Sequence, residues 1–246
     1  MHPKTCRAAT CWRHPEFAME AALLGMFMIS ALAFTVVMEH PASPVARAIA
    51  APMVRRLVTG LGMAATAVVL IYSPWGMRSG AHMNPAATLT FARLGMVPRT
   101  SVAGYVAAQF VGGALGTWVG WQMFGPLVEH PAVRFAVTTP GPWGAGAAFA
   151  MELVMTAVQM GAVLAVARVP RWRSHAGLVA ASLLVVFITV EAPVSGMSLN
   201  PARTLGSAVW AGQFTAVWIY FSAPVLGMLL AAEVIGRMRP RGKDTP

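Results

Sequence analysis

The chain predicts an all-α membrane protein of six transmembrane helices and two re-entrant half-helices, arranged as an inverted repeat. Three observations lead there. Of 246 residues, 57% are hydrophobic and only 11% charged, with mean hydropathy +0.63, against about 25% charged in a soluble domain. Long apolar runs, rather than alternating segments of about ten residues, select helices over a β-barrel. And Asn-Pro-Ala occurs twice, at Asn84-Pro85-Ala86 and at Asn200-Pro201-Ala202.

Six runs qualify as spans: Phe17–Met38, Leu57–Trp75, Ser101–Met123, Ala147–Ala167, Ala176–Ala192 and Phe214–Gly236. Each approaches the ~20 residues that a ~30 Å hydrocarbon core requires. Asn84–Gly95 lies between spans two and three, and Asn200–Ala211 between spans five and six. At ~1.5 Å per residue, each covers roughly half the core. Asn is a strong N-cap, and Pro in the first helical position loses only an N–H that has no intrahelical partner. Two such starts at membrane depth bring two positive helix ends toward the midplane.

The order is three spans with one half-helix, then the same again. The two Asn-Pro-Ala copies are 116 residues apart, and Gln109 to Gly112 in span three is offset by 115 from Pro224 to Gly227 in span six. Glu20 and Glu152 are 132 apart, the long first loop His40–Arg56 absorbing the difference. Three spans per half invert the second half relative to the first. Gly112, Gly113, Gly116, Ala223 and Gly227 mark close helix crossings.

The net charge of +10 does not signal nucleic acid: 16 of the 18 basic residues are Arg, set mostly between spans, with no basic stripe interleaved with aromatics. With both termini in the cytoplasm, 13 basic residues fall inside and four outside (Arg47, Arg55, Arg56 and Arg134), Arg203 lying within the membrane. Anionic lipid headgroups are the expected contact of the basic loops. No signal peptide is evident before Phe17. Cys6 and Cys11, with His2 and His14, fit no common zinc spacing, and a reduced cytoplasmic tail is expected. No metal, cofactor or nucleic-acid partner is implied.

Gly80-Ala81-His82-Met83-Asn84-Pro85-Ala86-Ala87-Thr88-Leu89 and Ser195-Gly196-Met197-Ser198-Leu199-Asn200-Pro201-Ala202-Arg203-Thr204-Leu205-Gly206 resemble the two signature loops of the aquaporin (major intrinsic protein) family. The resemblance covers Phe17 to Gly236 and includes Glu20, Glu152, Gln109 and Pro224. It implies a single aquaporin-like channel domain over 1–246, with repeat halves at about 17–123 and 147–236 and cytoplasmic tails at 1–16 and 237–246. It also implies a passive water channel that excludes protons and ions, a homotetramer with one pore per monomer, and no enzymatic activity. The composition, rich in Arg, Ala and Gly, is in keeping with a bacterial-type member in an inner or plasma membrane.

Within that frame, each Asn carbonyl caps its own helix and leaves an NH₂ as a donor to passing water, which interrupts a proton wire. Arg203 has only Ala87 as its counterpart, so it belongs to a one-sided filter that repels cations. By ungapped offset from each Asn, Ala64, Ile188 and Met197 complete the filter. Water-selective relatives carry a bulky aromatic and a His at the first two, so passage of small neutral solutes stays open. Thr204, Ala208 and Tyr220-Phe221 follow the water-channel pattern rather than the glycerol-conducting one. Glu20 and Glu152 are expected to accept from loop N–H groups, with His82 supporting the first loop and Thr156, but not Leu24, adding a polar partner. Glu191 reads as a solvated loop carboxylate near the outer mouth. The competing functions are a glycerol-type facilitator, a proton-coupled transporter using Glu20 and Glu152, and a hydrolase using Ser79 and His82.

Overall fold

A computed structural model describes residues 14–237, so Cys6, Cys11 and the tail residues 1–13 and 238–246 lie outside the described residues. The described chain is helical: α1 His14–Glu39, α2 Pro44–Ala48, α3 Pro52–Tyr72, α4 Pro74–Ser79, α5 Pro85–Arg93, α6 Arg99–Phe124, α7 Gly144–Arg168, α8 Ala176–Val190, α9 Ala192–Ser195, α10 Pro201–Ala211 and α11 Val217–Arg237. Among the described residues, six helices are long and apolar enough to cross a membrane. They are α1, α3, α6, α7, α8 and α11, and the protein is a multi-pass membrane protein.

Spans two and five end earlier than apolar counting suggests. Ser73 stops α3 with an extended backbone, ψ 158°, and its hydroxyl accepts from Gly76 N to start the separate helix α4 at Pro74. A residue preceding Pro is pushed out of helical conformation. Trp75 therefore belongs to α4. Span five ends differently: Glu191 keeps near-helical angles, φ −99° and ψ −25°, while Pro193 has no N–H to offer Thr189 O, which Arg56 binds instead, and Ala192 falls in α9.

Packing follows the repeat. α1 lies along α6 and α7 along α11, while α3 and α8 meet each other. The half-helices are exchanged: α10 packs against α6 of the first half, and α5 against α11 of the second. The close crossings use glycine. A Cβ on Gly112 would stand 2.2 Å from Ala21 O, and one on Gly227 would stand 2.3 Å from Leu153 O. Both obstacles are backbone of the facing helix, which cannot swing aside. Gly112→Leu is expected to force α1 and α6 apart, lowering the melting temperature in detergent and costing ~3 kcal/mol or more.

Two of the three arginines that offend the charge rule in the first loop are tied down. Arg55 pairs with Glu39 at 3.2 Å and donates to Ile49 O, and Arg56 Nε donates to Thr189 O at 3.0 Å. A repeated tetrapeptide also emerges. Glu39-His40-Pro41-Ala42 and Glu129-His130-Pro131-Ala132 both turn the chain, each His Nδ1 accepting the N–H two residues on, at 3.1 and 3.2 Å. Their imidazole centroids lie 4.6 Å apart, joining the α1–α2 turn to the loop after α6.

Candidate functional site

Asn84 and Asn200 start the two half-helices with near-identical extended backbone, φ −156° and ψ 120° against φ −150° and ψ 112°. Asn84 Oδ1 accepts from Ala86 N at 2.9 Å. Asn200 Oδ1 accepts from Ala202 N at 2.9 Å and Arg203 N at 3.2 Å. The amide nitrogens then reach across: Asn84 Nδ2 donates to Leu199 O at 2.8 Å, and Asn200 Nδ2 to Met83 O at 2.7 Å. Each cap thus braces the opposite loop with one N–H and retains a second. The half-helices meet start to start, so their unsatisfied N–H groups and positive ends converge.

The loops that present these caps adopt matching backbones. Ala81 and Met83 hold φ of 47°, and their counterparts Met197 and Leu199 hold 50° and 59°. Left-handed φ at a non-glycine costs of order 1 kcal/mol or more, and persists only where surroundings enforce it. The enforcers are the fully buried carboxylates on the first helix of each half. Glu20 accepts from His82 N at 2.9 Å, Met83 N at 2.6 Å and Ser79 Oγ at 2.8 Å. Glu152 accepts from Ser198 N and Leu199 N at 2.7 Å each and lies 2.8 Å from Ser195 Oγ.

The expected inequality between the halves is reversed. Thr156 Oγ1 donates to the main-chain oxygens of Glu152 and Leu153, not to the carboxylate, because a helical Thr reaches back to the preceding turn. In the first half Gln109 Nε2 donates to Glu20 Oε2 at 2.8 Å, so Glu20 has one polar partner more. His82 Nδ1 lies 3.1 Å from Thr88 Oγ1, and its ring packs against Phe91 and Tyr105. Ser79 binds Glu20 while His82 faces Thr88, so the nucleophile–base pair that a hydrolase needs is not formed.

Two cavities meet at the second loop. The larger, 380 Å³, is lined by both Asn caps, His82, Phe91 and Gln159. The smaller, 110 Å³, is lined by Thr35, Thr59, Met63, Ile188, Ala192 and Met197. Phe27, Leu184, Ser198 and Arg203 border both, which places the waist between them. Of the four positions carried over for the filter, Ile188, Met197 and Arg203 come together here. Ala64 packs instead in an apolar cluster with Ala67 and Ala181, covered by Phe27 and Leu184. Met63, one residue earlier, lines the smaller cavity. Phe27 carries the bulk that position 64 lacks. Its signal was legible, since it sits two turns after Glu20 on the same face of α1.

Arg203 borders both cavities, and its Nη1 is buried without a hydrogen-bond partner among the described residues. Behind it, Thr138 Oγ1 lies 2.8 Å from Thr204 Oγ1, which lies 2.5 Å from Ser198 Oγ. These hydroxyls fasten the loop before α7 to the second half-helix. Glu191 corrects the sequence expectation. It is 3% exposed rather than solvated, because α9 folds it inward against Ser195, whose Oγ lies 3.0 Å from Glu191 Oε2. Among the described residues no group of three or more His, Cys, Asp or Glu could hold a metal ion.

Known proteins share both sequence and fold. The chain is 38% identical over 176 residues to aquaporin NIP1-3 of Oryza sativa subsp. japonica, covering 70% of this chain and 58% of that protein. It is 42% identical over 184 residues to aquaporin NIP2-2 of Zea mays, covering 72% and 60%. The chain therefore spans less than two-thirds of the length of these curated relatives. The X-ray structure of the aquaglyceroporin from Plasmodium falciparum superposes with a TM-score of 0.76 at 18% identity, over 91% of this chain and 96% of that one, a likeness of fold. Residues 13–234 match the major intrinsic protein family, and the chain belongs to that family.

Proposed function

We propose that the protein is a passive channel for water that excludes ions and protons. The observation that carries this is the crosswise anchoring of Asn84 and Asn200 where the two half-helices meet, with both caps lining one cavity. A water at that point accepts from the remaining amide hydrogens and turns its own hydrogens away, up and down the file. The converging positive helix ends and Arg203 raise the energy of any cation there. Asn84, Pro85, Ala86, Asn200, Pro201 and Ala202 form the central station. Arg203, Ile188 and Met197, with Phe27, form the outer one.

Small neutral solutes are a second permeant class. Ile188, Met63 and Met197 give the smaller cavity an apolar wall, which strips fewer hydrogen bonds from a solute carrying its own carbon skeleton. A proton-coupled transporter is disfavoured because Glu20 and Glu152 spend their oxygens on loop N–H groups. The chain acts as one channel domain, with both termini cytoplasmic, in a cell membrane, and assembles as a homotetramer with a pore in each subunit.

Purified protein in liposomes, shocked with an impermeant osmolyte and followed by stopped-flow light scattering, tests this. Fast shrinkage with a low activation energy and no proton current is expected. Shrinkage no faster than in empty liposomes refutes the channel. Re-swelling in glycerol at a rate comparable to water shrinkage makes solutes the main cargo.

A further inference from the structure

The second half carries an acid that the first half lacks. The position 116 residues before Glu191 is Trp75, which is half exposed. Glu191 lies one residue beyond the fifth span and is buried, and its environment contains more acceptors than hydrogens. Ser195 Oγ has three neighbours: Met197 N at 3.1 Å, Glu152 Oε1 at 2.8 Å and Glu191 Oε2 at 3.0 Å. A hydroxyl offers one hydrogen and two lone pairs. Met197 N–H takes one lone pair, and the hydrogen serves a single carboxylate. The second carboxylate must bring its own hydrogen and donate it to the remaining lone pair.

Which of the two does so follows from their other partners. Glu152 already accepts Ser198 N–H and Leu199 N–H, which favour its charged form. Glu191 has one main-chain donor, Ser195 N–H, against two for Glu152, and its Oε1 is buried with no hydrogen-bond partner among the described residues, a costly place for a charged oxygen and a tolerable one for the carbonyl of a neutral acid. The charged and titratable groups around this point are Glu152 from α7, Tyr220 from α11, whose hydroxyl donates to Ser195 O, Arg203 from α10, and Arg56 from α3, which binds Thr189 O. Burial pushes the Glu191 carboxyl up to about 7. A raised carboxyl stabilises the native loop most at pH below the ordinary carboxylate range, and that contribution is lost as pH rises through about 7.

We propose that Glu191 is a positioning residue whose protonated carboxyl clamps Ser195 and so holds Met197 and Ser198 at the outer waist, making conduction fall as the pH at that mouth rises. Deprotonation leaves two negative carboxylates competing for one hydroxyl hydrogen. Ser195 then yields, and with it the left-handed turn at Met197 beside Arg203. The inference rests on the channel reading for its flux readout only.

The test compares the full chain with Glu191→Gln in liposomes, measuring osmotic water permeability from about pH 5 to about pH 9. The Gln side chain donates to Ser195 as the protonated acid does and cannot titrate. Wild-type permeability is expected to drop several-fold toward alkaline pH, while Glu191→Gln keeps the acid-side value throughout. In parallel, infrared spectra of the wild type in membranes are expected to show a protonated-carboxyl stretch that disappears with rising pH and is missing from Glu191→Gln. A flat wild-type pH profile, a Gln variant that keeps the pH dependence, or a carboxyl band unaffected by the substitution each overturns the proposal. Absence of water flux at every pH defeats the channel reading instead, and the infrared comparison then decides Glu191 alone.

Discussion

Replacing Glu20 by Leu is expected to abolish the folded protein or to lower its melting temperature drastically. The volume is nearly conserved, so the loss is one of hydrogen bonding. Four donors, Ser79 Oγ, His82 N, Met83 N and Gln109 Nε2, converge on this carboxylate with no water to replace it. Each buried donor left without an acceptor costs about 1–3 kcal/mol. The left-handed turns at Ala81 and Met83 lose the bonds that enforce them as well. The sum is of order 5 kcal/mol, comparable to the whole stability of many domains. Glu20→Gln keeps one acceptor oxygen and should fall between. Thermal unfolding in detergent, followed by tryptophan fluorescence and size exclusion, measures the series. A Leu variant that melts with the wild type would show that the first loop is held by something else.

Arg203→Val should have the opposite profile, changing selectivity sharply and stability little. The Nη1 group is already buried without a partner, so its removal relieves a desolvation cost rather than breaking a bond. What disappears is a positive charge bordering both cavities at their shared waist. At ~5 Å and an effective dielectric near 20, that charge opposes a monovalent cation by about 3 kcal/mol, or ~100-fold in rate. The variant is expected to conduct water, admit larger neutral solutes, and leak protons or alkali cations. A pH-sensitive dye inside liposomes reads the proton leak. Wild-type selectivity in this variant would remove Arg203 from the filter.

Much of this architecture was legible in the chain because it follows from local rules. Apolar runs of sufficient length located the spans, and Asn before Pro located both half-helices. The errors have physical causes. Counting apolar residues ignores proline, so spans two and five were carried past Ser73 and Glu191 into α4 and α9. Glu191 at a span end, two residues before a proline, reads as solvated, whereas the turn of α9 brings Ser195, four residues on, against it. The spacing of Thr156 suggests a carboxylate partner, but its hydroxyl bonds back to the main chain as helical Thr does, and Gln109, far away in sequence, takes that part for Glu20. The crossed amide bonds of Asn84 and Asn200 could not be read at all, since their acceptors are carbonyls turned inward by left-handed residues whose side chains give no hint of it.

The most direct test is an experimental density map of the protein in lipid, at a resolution that shows ordered water. It should contain a single file of solvent from one mouth to the other, with one molecule within hydrogen-bond reach of both asparagine amides. Two half-helix starts standing apart, or a dry contact between them that no solvent passes, would contradict the account.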